Sequence, residues 1–314
     1  MNSYGKEKRP FLFAINFEIT EGIFIDNPLE NKDVFFCIGA KGNYLANNYK
    51  KRVNSHFNYI PLPYSLYKEK FDIIHNGLKQ GYSYLTNLTI KTPISFDISL
   101  YDIFVQSTAP YKILLPERFV CFSPERFVRI EGRSISTNPM KGTIDASIPN
   151  AEHVILNDFK ETAEHNTIVD LLRNDLSMVA NNVRVSRFRY IDKIKSNKSE
   201  ILQVSSEITG ILKDEYVNRY GDIIFSMLPA GSVSGAPKNA TLDLIKQAEQ
   251  EPRGYYTGIF GYFDGTELDT GVMIRFIEKD GDSYYFRSGG GITAYSDSKG
   301  EYQEVLDKIY LPIL

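Results

Sequence analysis

The chain has 314 residues, of which 42% are hydrophobic and 24% are charged, so it can bury a sizeable core in one large or two smaller domains. Its formal net charge of −3 gives no general reason to expect nucleic acid or an anionic membrane as a partner, and we predict neither. Small anions can still bind at local basic sites.

The chain carries two cysteines, Cys37 and Cys121, and both lie in apolar runs. They are typical of core residues rather than of a disulfide framework, which indicates a reducing cytoplasm. No apolar run approaches the length of a membrane span, and residues 1–10 lack the apolar region of a signal peptide. We therefore expect a cytoplasmic protein.

The first part of the chain reads mainly as strands. Short apolar runs bounded by turn residues predict them, and a turn at 131–133 joins the last two. Between the strands, apolar residues at helical spacing predict one helix over 64–81 that ends at Gly81. The predicted strands cover residues 11–17, 22–25, 34–38, 83–91, 94–105, 119–129 and 133–136.

Helices and strands are mixed in the second part of the chain. The predicted helices cover residues 150–180, 236–250 and 298–310. The predicted strands cover residues 183–194, 201–212, 256–263, 268–277 and 284–287, with a turn at 264–265. There is no repeat, low-complexity tract or linker that marks an internal boundary, so a single domain over 1–314 is expected.

A lysine stands in a proline and glycine turn at 139–143. Pro139 fixes φ and Gly142 tolerates close backbone approach, so the Lys141 amine can be held toward a ligand. A lysine is a nucleophile only when it is deprotonated, which requires burial or a neighbouring cation to lower its pKa. An ordinary solvated turn lysine is the alternative from these residues alone.

Glycine-rich stretches and one buried arginine suggest anion binding. Residues 228–238 lead into a predicted helix, whose unpaired N–H groups can bind an anion, although a tight turn explains the stretch equally well. Three glycines at 289–291 follow a predicted strand and indicate close approach of the backbone to a ligand or another segment. Arg275 lies in an otherwise apolar predicted strand, where a guanidinium requires a carboxylate partner from the protein or a substrate.

Two of the predicted helices each carry two glutamates three residues apart, Glu161 with Glu164 and Glu301 with Glu304. This spacing places both carboxylates of a pair on one helix face. Four carboxylates brought together would repel without a cation and would suit Mg²⁺ with one, whereas a solvated charged face is the alternative for each helix alone. With Arg275, these residues favour a site for a small dicarboxylate held on Mg²⁺.

Seven short motifs, in order, resemble the signature of the chorismate-utilising enzymes, which include component I of anthranilate synthase, component I of aminodeoxychorismate synthase, and isochorismate and salicylate synthases. The resemblance runs over 81–314, whereas residues 1–80 match only loosely. It implies an α+β fold with two large, mostly antiparallel β-sheets packed as a sandwich, outer helices, and a site between the sheets. The motifs are residues 161–165, 169–176, 229–238, 261–262, 274–275, 289–292 and 301–304.

The resemblance also implies roles for individual residues. Glu164 and Glu304 would ligate Mg²⁺, with Glu161 and Glu301 assisting through water, and the metal would hold the ring carboxylate of chorismate. The residues that would contact the substrate are Gly142, Thr143, Ser232, Tyr256, Arg275, Gly289, Gly290, Gly291 and Lys308.

Within the family, Lys141 favours the aminodeoxychorismate enzymes, which carry lysine at this position where the anthranilate enzymes carry alanine. The resemblance then implies attack by the Lys141 amine at C2 of chorismate with loss of the C4 hydroxyl. Ammonia would add at C4 and expel the lysine, giving 4-amino-4-deoxychorismate for 4-aminobenzoate and folate biosynthesis. Glu125 matches the acid/base glutamate of the family.

Two other readings stay open, component I of anthranilate synthase and a catalytically inactive chorismate-binding subunit. Isochorismate and salicylate synthases are disfavoured, because Leu85 stands where they carry a lysine base. The chain departs from the family pattern at Asn138, where arginine is usual, and at Gln203, where histidine is usual. No glutaminase set of cysteine, histidine and glutamate is visible, so ammonia is expected from a separate glutamine amidotransferase subunit.

Overall fold

The computed structural model describes residues 1–44, 56–195 and 200–312. The helices are α1 Asn2–Glu7, α2 Tyr64–Lys79, α3 Leu100–Gln106, α4 Ala151–Asn157, α5 Phe159–Val179, α6 Tyr220–Met227, α7 Gly231–Ser234, α8 Lys238–Glu249 and α9 Ser298–Asp307, with a 3₁₀ turn at Asp214–Tyr216. The strands are β1 Phe11–Ile15, β2 Gly22–Asp26, β3 Phe35–Ile38, β4 Lys41–Gly42, β5 Phe57–Tyr59, β6 Leu85–Phe96, β7 Tyr111–Leu115, β8 Phe119–Ser123, β9 Arg126–Glu131, β10 Ser134–Thr137, β11 Met140–Asp145, β12 Ala180–Lys195, β13 Glu200–Leu212, β14 Gly235–Ala236, β15 Ile259–Phe263, β16 Glu267–Val272, β17 Phe276–Asp280 and β18 Ser283–Ile292.

The strands form two antiparallel sheets. The first runs in the order β11-β13-β10-β9-β16-β15-β1-β2, with β12 also paired to β13. The second runs in the order β14-β6-β18-β17-β8-β7-β3-β4, with β5 paired to β6. Neighbouring strands in the chain often lie in different sheets, so the two sheets are built together rather than one after the other.

The two sheets pack face to face, and helices cover their outer faces. Every residue of β1 is buried, because alternate side chains point to opposite faces of a strand and both faces are covered. Leu12 packs between the sheets with Phe36 and Phe276 of the second sheet. Phe11 packs on the other face, in a cluster that contains residues of α5 and α6. The predicted α+β fold of two sheets with outer helices is confirmed.

Helix α3 corrects the prediction of one long strand over 94–105. Ser99 accepts a hydrogen bond from the backbone N–H of Asp102, and the Asp102 carboxylate accepts one from the N–H of Ser99. This capping box starts a helix at Leu100, which packs with its buried Ile103 and Phe104 against the second sheet. A similar cap at Asp158 divides the single helix predicted over 150–180 into α4 and α5.

Three corrections concern segments that carry site residues. Lys141 lies on strand β11 rather than in a turn. The strand predicted over 268–277 breaks after Val272, and Arg275, with a φ of 54°, lies in the crossover between β16 of the first sheet and β17 of the second. The glycines at 289–291 do not follow a strand but lie within β18 and pair with β6. In the described ranges no helix is long and apolar enough to cross a membrane.

Candidate active site

A cavity of about 550 Å³ lies where elements of both sheets meet. Strand β11 and helix α5 supply one side, and β18, helix α9 and the β16–β17 crossover supply another. The cavity collects nearly all of the site residues predicted from the sequence, although they are spread over almost two hundred positions. Those that line it are Glu125, Lys141, Gly142, Thr143, Glu161, Glu164, Ser232, Tyr256, Arg275, Gly289, Gly290, Gly291, Glu304 and Lys308.

The Lys141 amine is held by a carboxylate of α5. Its Nζ lies 2.7 Å from Oε2 of Glu164, and the two side chains are 26% and 9% exposed. Burial lowers the pKa of Lys141, but Glu164, Glu304 and Glu161 together outweigh burial and raise it above its ordinary value. The expected lowering of this pKa depends on a cation bound beside the amine, so it stays a prediction.

Carboxylates of α5 and α9 crowd one end of the cavity. Oε2 of Glu161 is buried without a hydrogen-bond partner in the described part of the chain, and burial raises the pKa of this carboxyl. Oε1 of Glu304 lies 2.7 Å from Nζ of Lys308. Glu301 is buried and is not among the lining residues, although a Cβ on Gly290, which does line the cavity, would lie 3.3 Å from Glu304 and 3.6 Å from Glu301.

The carboxylate cluster fits a hard divalent cation by its chemistry. Glu161, Glu164 and Glu304 line one cavity, and a buried oxygen of Glu161 has no hydrogen-bond partner in the described part of the chain. Within residues 1–44, 56–195 and 200–312, no three histidine, cysteine or acidic side chains already converge at metal-ligand distances. The ammonium of Lys141 holds Glu164, so binding of a cation would require these side chains to shift.

Glu125 has the electrostatic surroundings of a proton donor. It follows Pro124 immediately before β9, and its Oε1 accepts a hydrogen bond of 2.5 Å from the Ser232 hydroxyl of α7. Burial raises the pKa of the Glu125 carboxyl, although Ser232, Arg275 and Lys308 act to lower it. A carboxyl whose pKa is raised keeps its proton to a higher pH, which is the property a general acid needs.

The side of the cavity formed by β18 and the β16–β17 crossover offers positive charge and open backbone. A Cβ at Gly289 would lie 2.5 Å from the carbonyl oxygen of Leu88, so only glycine fits at this point of the strand pair. Lys308 donates to the carbonyl of Gly289 at 2.7 Å, and burial lowers the pKa of this lysine. Tyr256 is buried, and burial raises its pKa to about 12, so its hydroxyl stays protonated. With Arg275, this side can bind a carboxylate.

Arg253 was not predicted from the sequence, although it organises the floor of the cavity. Its guanidinium is 1% exposed and forms an ion pair of 2.7 Å with Glu249, four residues earlier. It also donates to the carbonyls of Val233 and Asn87, each at 2.7 Å, and both of those residues line the cavity. The sequence signal was faint, a Glu-x-x-x-Arg spacing that also occurs on many solvated helices.

Other lining residues were also missed or assigned no role. Asn87 lies opposite Gly291 in the β6–β18 pair, and its Oδ1 is buried without a partner among the described residues. Gln203, noted only as a departure from the family pattern, faces the cavity and bonds the backbone beside Lys141. Asp307 and Tyr310 follow Glu304 near the end of the chain and line the same cavity.

The fold is that of solved isochorismate synthases. The menaquinone-specific isochorismate synthase from Escherichia coli superposes with a TM-score of 0.74 at 13% identity, over 98% of this chain and 78% of that one. Anthranilate synthase component I from Streptococcus pneumoniae superposes with a TM-score of 0.69 at 25% identity, over 81% and 58%. The chain belongs to the chorismate binding enzyme family, whose model matches residues 49–313.

Curated relatives fall into two groups. An uncharacterized PabA-like protein of Haemophilus influenzae is 50% identical over 99% of this chain and 95% of its own length. Aminodeoxychorismate synthase component 1 of Bacillus subtilis is 32% identical over 78% of this chain, which spans 54% of that protein. Anthranilate synthase component 1 of Archaeoglobus fulgidus is 35% identical over 77% and 61%. The chain thus spans little more than half the length of the relatives named as synthases.

Proposed function

We propose that the chain is the chorismate-binding component of an aminodeoxychorismate synthase, which converts chorismate and ammonia to 4-amino-4-deoxychorismate. The observation that carries the proposal is a lysine amine and a half-buried carboxyl with a raised pKa, Lys141 and Glu125, in one cavity of a chorismate binding enzyme. An amine in this place can act as a nucleophile, and the carboxyl can protonate a leaving hydroxyl.

The first half of the proposed reaction joins the enzyme to its substrate. Lys141 gives up a proton, which Oε2 of Glu164 is placed to take at 2.7 Å. The neutral amine forms a bond to C2 of chorismate while the C4–O bond breaks, and the hydroxyl takes the proton of Glu125 and leaves as water. The Glu125 carboxylate then takes a proton from the alkylated lysine nitrogen, so the acid is restored.

The second half releases the product. Ammonia forms a bond to C4, the bond between C2 and the lysine nitrogen breaks, and Glu125 returns its proton to the departing Lys141 amine. The new C4 ammonium group passes a proton to the Glu125 carboxylate, Glu164 returns its proton to the Lys141 amine, and the overall change replaces the C4 hydroxyl by an amino group with release of one water. The lysine ends as it began, which is a requirement for turnover.

Binding of chorismate requires compensation of its two carboxylates. Arg275 and Lys308 line the cavity and supply positive charge, and Tyr256 supplies a hydroxyl that remains protonated. Bound Mg²⁺, held by Glu164 and Glu304 with Glu161 and Glu301 assisting, would supply further positive charge for the ring carboxylate. The glycine backbone at 289–291 leaves room for the ring to approach.

We further propose that a separate glutamine amidotransferase subunit supplies the ammonia, in the cytoplasm. Several similar proteins are named component 1, which supports a second component. The purified chain is then expected to use ammonium salts but not glutamine. Turnover that depends on glutamine, in the absence of any added subunit, would contradict this assignment.

Anthranilate formation is the second candidate, because anthranilate synthase components occur among the similar proteins. Incubation with chorismate, Mg²⁺ and ammonium, followed by chromatography of the products, separates the candidates. The proposal predicts 4-amino-4-deoxychorismate, which a separate lyase converts to 4-aminobenzoate. Anthranilate and pyruvate would identify the second candidate, and no turnover of a folded protein that binds chorismate would identify an inactive binding subunit.

A further inference from the structure

The pairing of β11 with β13 is interrupted at Lys141. Met140 stands opposite Ser205 and Thr143 stands opposite Gln203, so two residues of β11, Lys141 and Gly142, occupy the space opposite one residue of β13. This is a β-bulge, a feature that redirects side chains and is frequent beside active sites. Gly142 has a φ of 85°, in the region that favours glycine, so the bulge depends on this residue type.

A side chain of the neighbouring strand β13 donates a hydrogen bond to the backbone of the bulge. Nε2 of Gln203 donates to the carbonyl of Gly142 at 2.9 Å and to the carbonyl of Val204 at 3.3 Å. On the other side, a Cβ at Gly142 would lie 2.9 Å from Oε2 of Glu161, so a larger residue at this position would crowd that carboxylate. The Gln203 amide therefore holds the carbonyl of the residue that follows Lys141.

We infer that Gln203 is a positioning residue for Lys141, whose amide N–H holds the bulge that directs the amine into the cavity. The inference rests on the proposed function. A glutamine has no titratable proton at this position, so Gln203 acts through geometry rather than through proton transfer. Arg275, Tyr256 and the glycines of β18 bind from other elements, so loss of the Gln203 amide is expected to slow attack by the amine more than it weakens substrate binding.

Two variants separate the hydrogen bond from the shape of the side chain. Gln203→Glu keeps the shape but replaces the N–H donor by an acceptor that faces the Gly142 carbonyl, whereas Gln203→His keeps one ring N–H. Gln80→Glu, an exposed change outside the cavity, is the control. Misplacement of a reacting group by about 1 Å slows a reaction about 100-fold, which sets the scale of the expected loss.

The experiment measures the rate of the Lys141 adduct with chorismate and Mg²⁺, without ammonia, by quenched mass spectrometry, and chorismate affinity by calorimetry in parallel. Gln203→Glu is expected to form the adduct about 100-fold more slowly, with affinity changed less than about 3-fold, and Gln203→His to recover to within about 10-fold of wild type. Thermal unfolding confirms that each variant is folded.

Three results would overturn the inference. Adduct formation by Gln203→Glu at the wild-type rate would show that the bulge does not need the amide. A loss of chorismate affinity equal to the loss of rate would make Gln203 a substrate contact instead. Absence of the adduct in wild type would reject the proposed function, and the inference with it, so the two failures are distinguishable.

Discussion

The Arg253–Glu249 pair and the carboxylate cluster around Lys141 both border the cavity, yet their charges are compensated differently. In the pair, one guanidinium meets one carboxylate, the two side chains are 1% and 2% exposed, and the remaining donors reach the carbonyls of Val233 and Asn87. In the cluster, Glu164 pairs with Lys141 and Glu304 pairs with Lys308, whereas a buried oxygen of Glu161 has no hydrogen-bond partner among the described residues.

The difference in charge compensation distinguishes a structural ion pair from a cluster that can bind a ligand. A buried charge that is matched one to one, with every donor used, holds segments together and has no capacity left for a ligand. A cluster with excess charge of one sign is costly to the free protein and becomes favourable only when a ligand of the opposite sign arrives. We therefore expect Arg253 to contribute mainly to stability and the glutamates to contribute mainly to activity.

The largest expected effect on stability comes from breaking the matched pair. Arg253→Met leaves Glu249 buried without its partner, and we expect a loss of about 3–5 kcal/mol in the free energy of unfolding, measured with urea. Arg118→Met, which breaks the half-exposed pair with Glu21, is the control and should cost about 1 kcal/mol or less.

A double variant tests whether the cost arises from the unpaired charge. Arg253→Met combined with Glu249→Leu removes both charges and is expected to be less destabilised than Arg253→Met alone. If the losses of unfolding free energy from the two single changes add instead, the two residues are not coupled. Arg253 then stabilises the protein only through its hydrogen bonds to the carbonyls of Val233 and Asn87.

Substitution of Glu164 or Glu304 is expected to reduce activity more than stability, unlike substitution of Arg253. Glu164→Gln or Glu304→Gln keeps the side-chain volume but removes a charge, so the rate of aminodeoxychorismate formation should fall about 100- to 1000-fold. The unfolding free energy should fall less than in Arg253→Met, because relief of like-charge repulsion offsets part of the lost ion pair with Lys141 or Lys308. Glu152→Gln, on the exposed face of α4, is the control.

Two results would contradict this division between scaffold and site. Full activity of either glutamine variant, or of wild type in excess chelator, would reject the Mg²⁺ assignment. Severe unfolding of both variants, comparable to that of Arg253→Met, would show that the cluster is structural as well.

A smaller effect is expected on the pH dependence of the unfolding free energy. The pKa of Glu125 is raised by burial, so the native state holds this proton more tightly than the unfolded chain does. The resulting stabilisation is fully present below the unfolded pKa and is lost as pH rises through the folded pKa. Glu125→Gln should therefore flatten the dependence of unfolding free energy on pH in that interval, measured by urea titrations at a series of pH values.

Substitution of Ser232 tests the role of Glu125 through the pH dependence of activity. Its hydroxyl donates to Glu125 and lowers the pKa of the carboxyl, so Ser232→Ala should raise that pKa further. The basic limb of the pH–rate profile should then move to higher pH, because the proton on Glu125 is retained longer. A basic limb that stays in place would exclude Glu125 as the acid that sets it.

Local sequence patterns predicted the elements that have regular periods. The helices around Phe71 and Glu164 and the turns at 131–133 and 264–265 follow from spacing and turn residues. The strand assigned to 94–105 was wrong, because apolar residues hid the Ser99 and Asp102 capping box. A pattern of hydrophobic residues alone does not distinguish a short buried helix from a strand.

The site was predicted through family motifs, whereas its electrostatics were not. Sequence could not reveal that Glu164 lies 2.7 Å from the Lys141 amine, because the two residues meet only when α5 packs beside β11. The role of Gln203 depends on a bulge, which is set by the register of two strands distant in the chain. Arg253 was missed because two of its partners are backbone carbonyls from distant segments.

The most direct test of the account is the covalent bond to Lys141. Chorismate and Mg²⁺, added without ammonia, should leave an adduct that intact-mass and peptide mass spectrometry locate on Lys141. Lys141→Ala should form none, and Lys141→Arg should be equally inactive, because a guanidinium keeps its proton and cannot attack. Formation of anthranilate by wild type, with no adduct on Lys141, would contradict the account and show that ammonia attacks C2 directly.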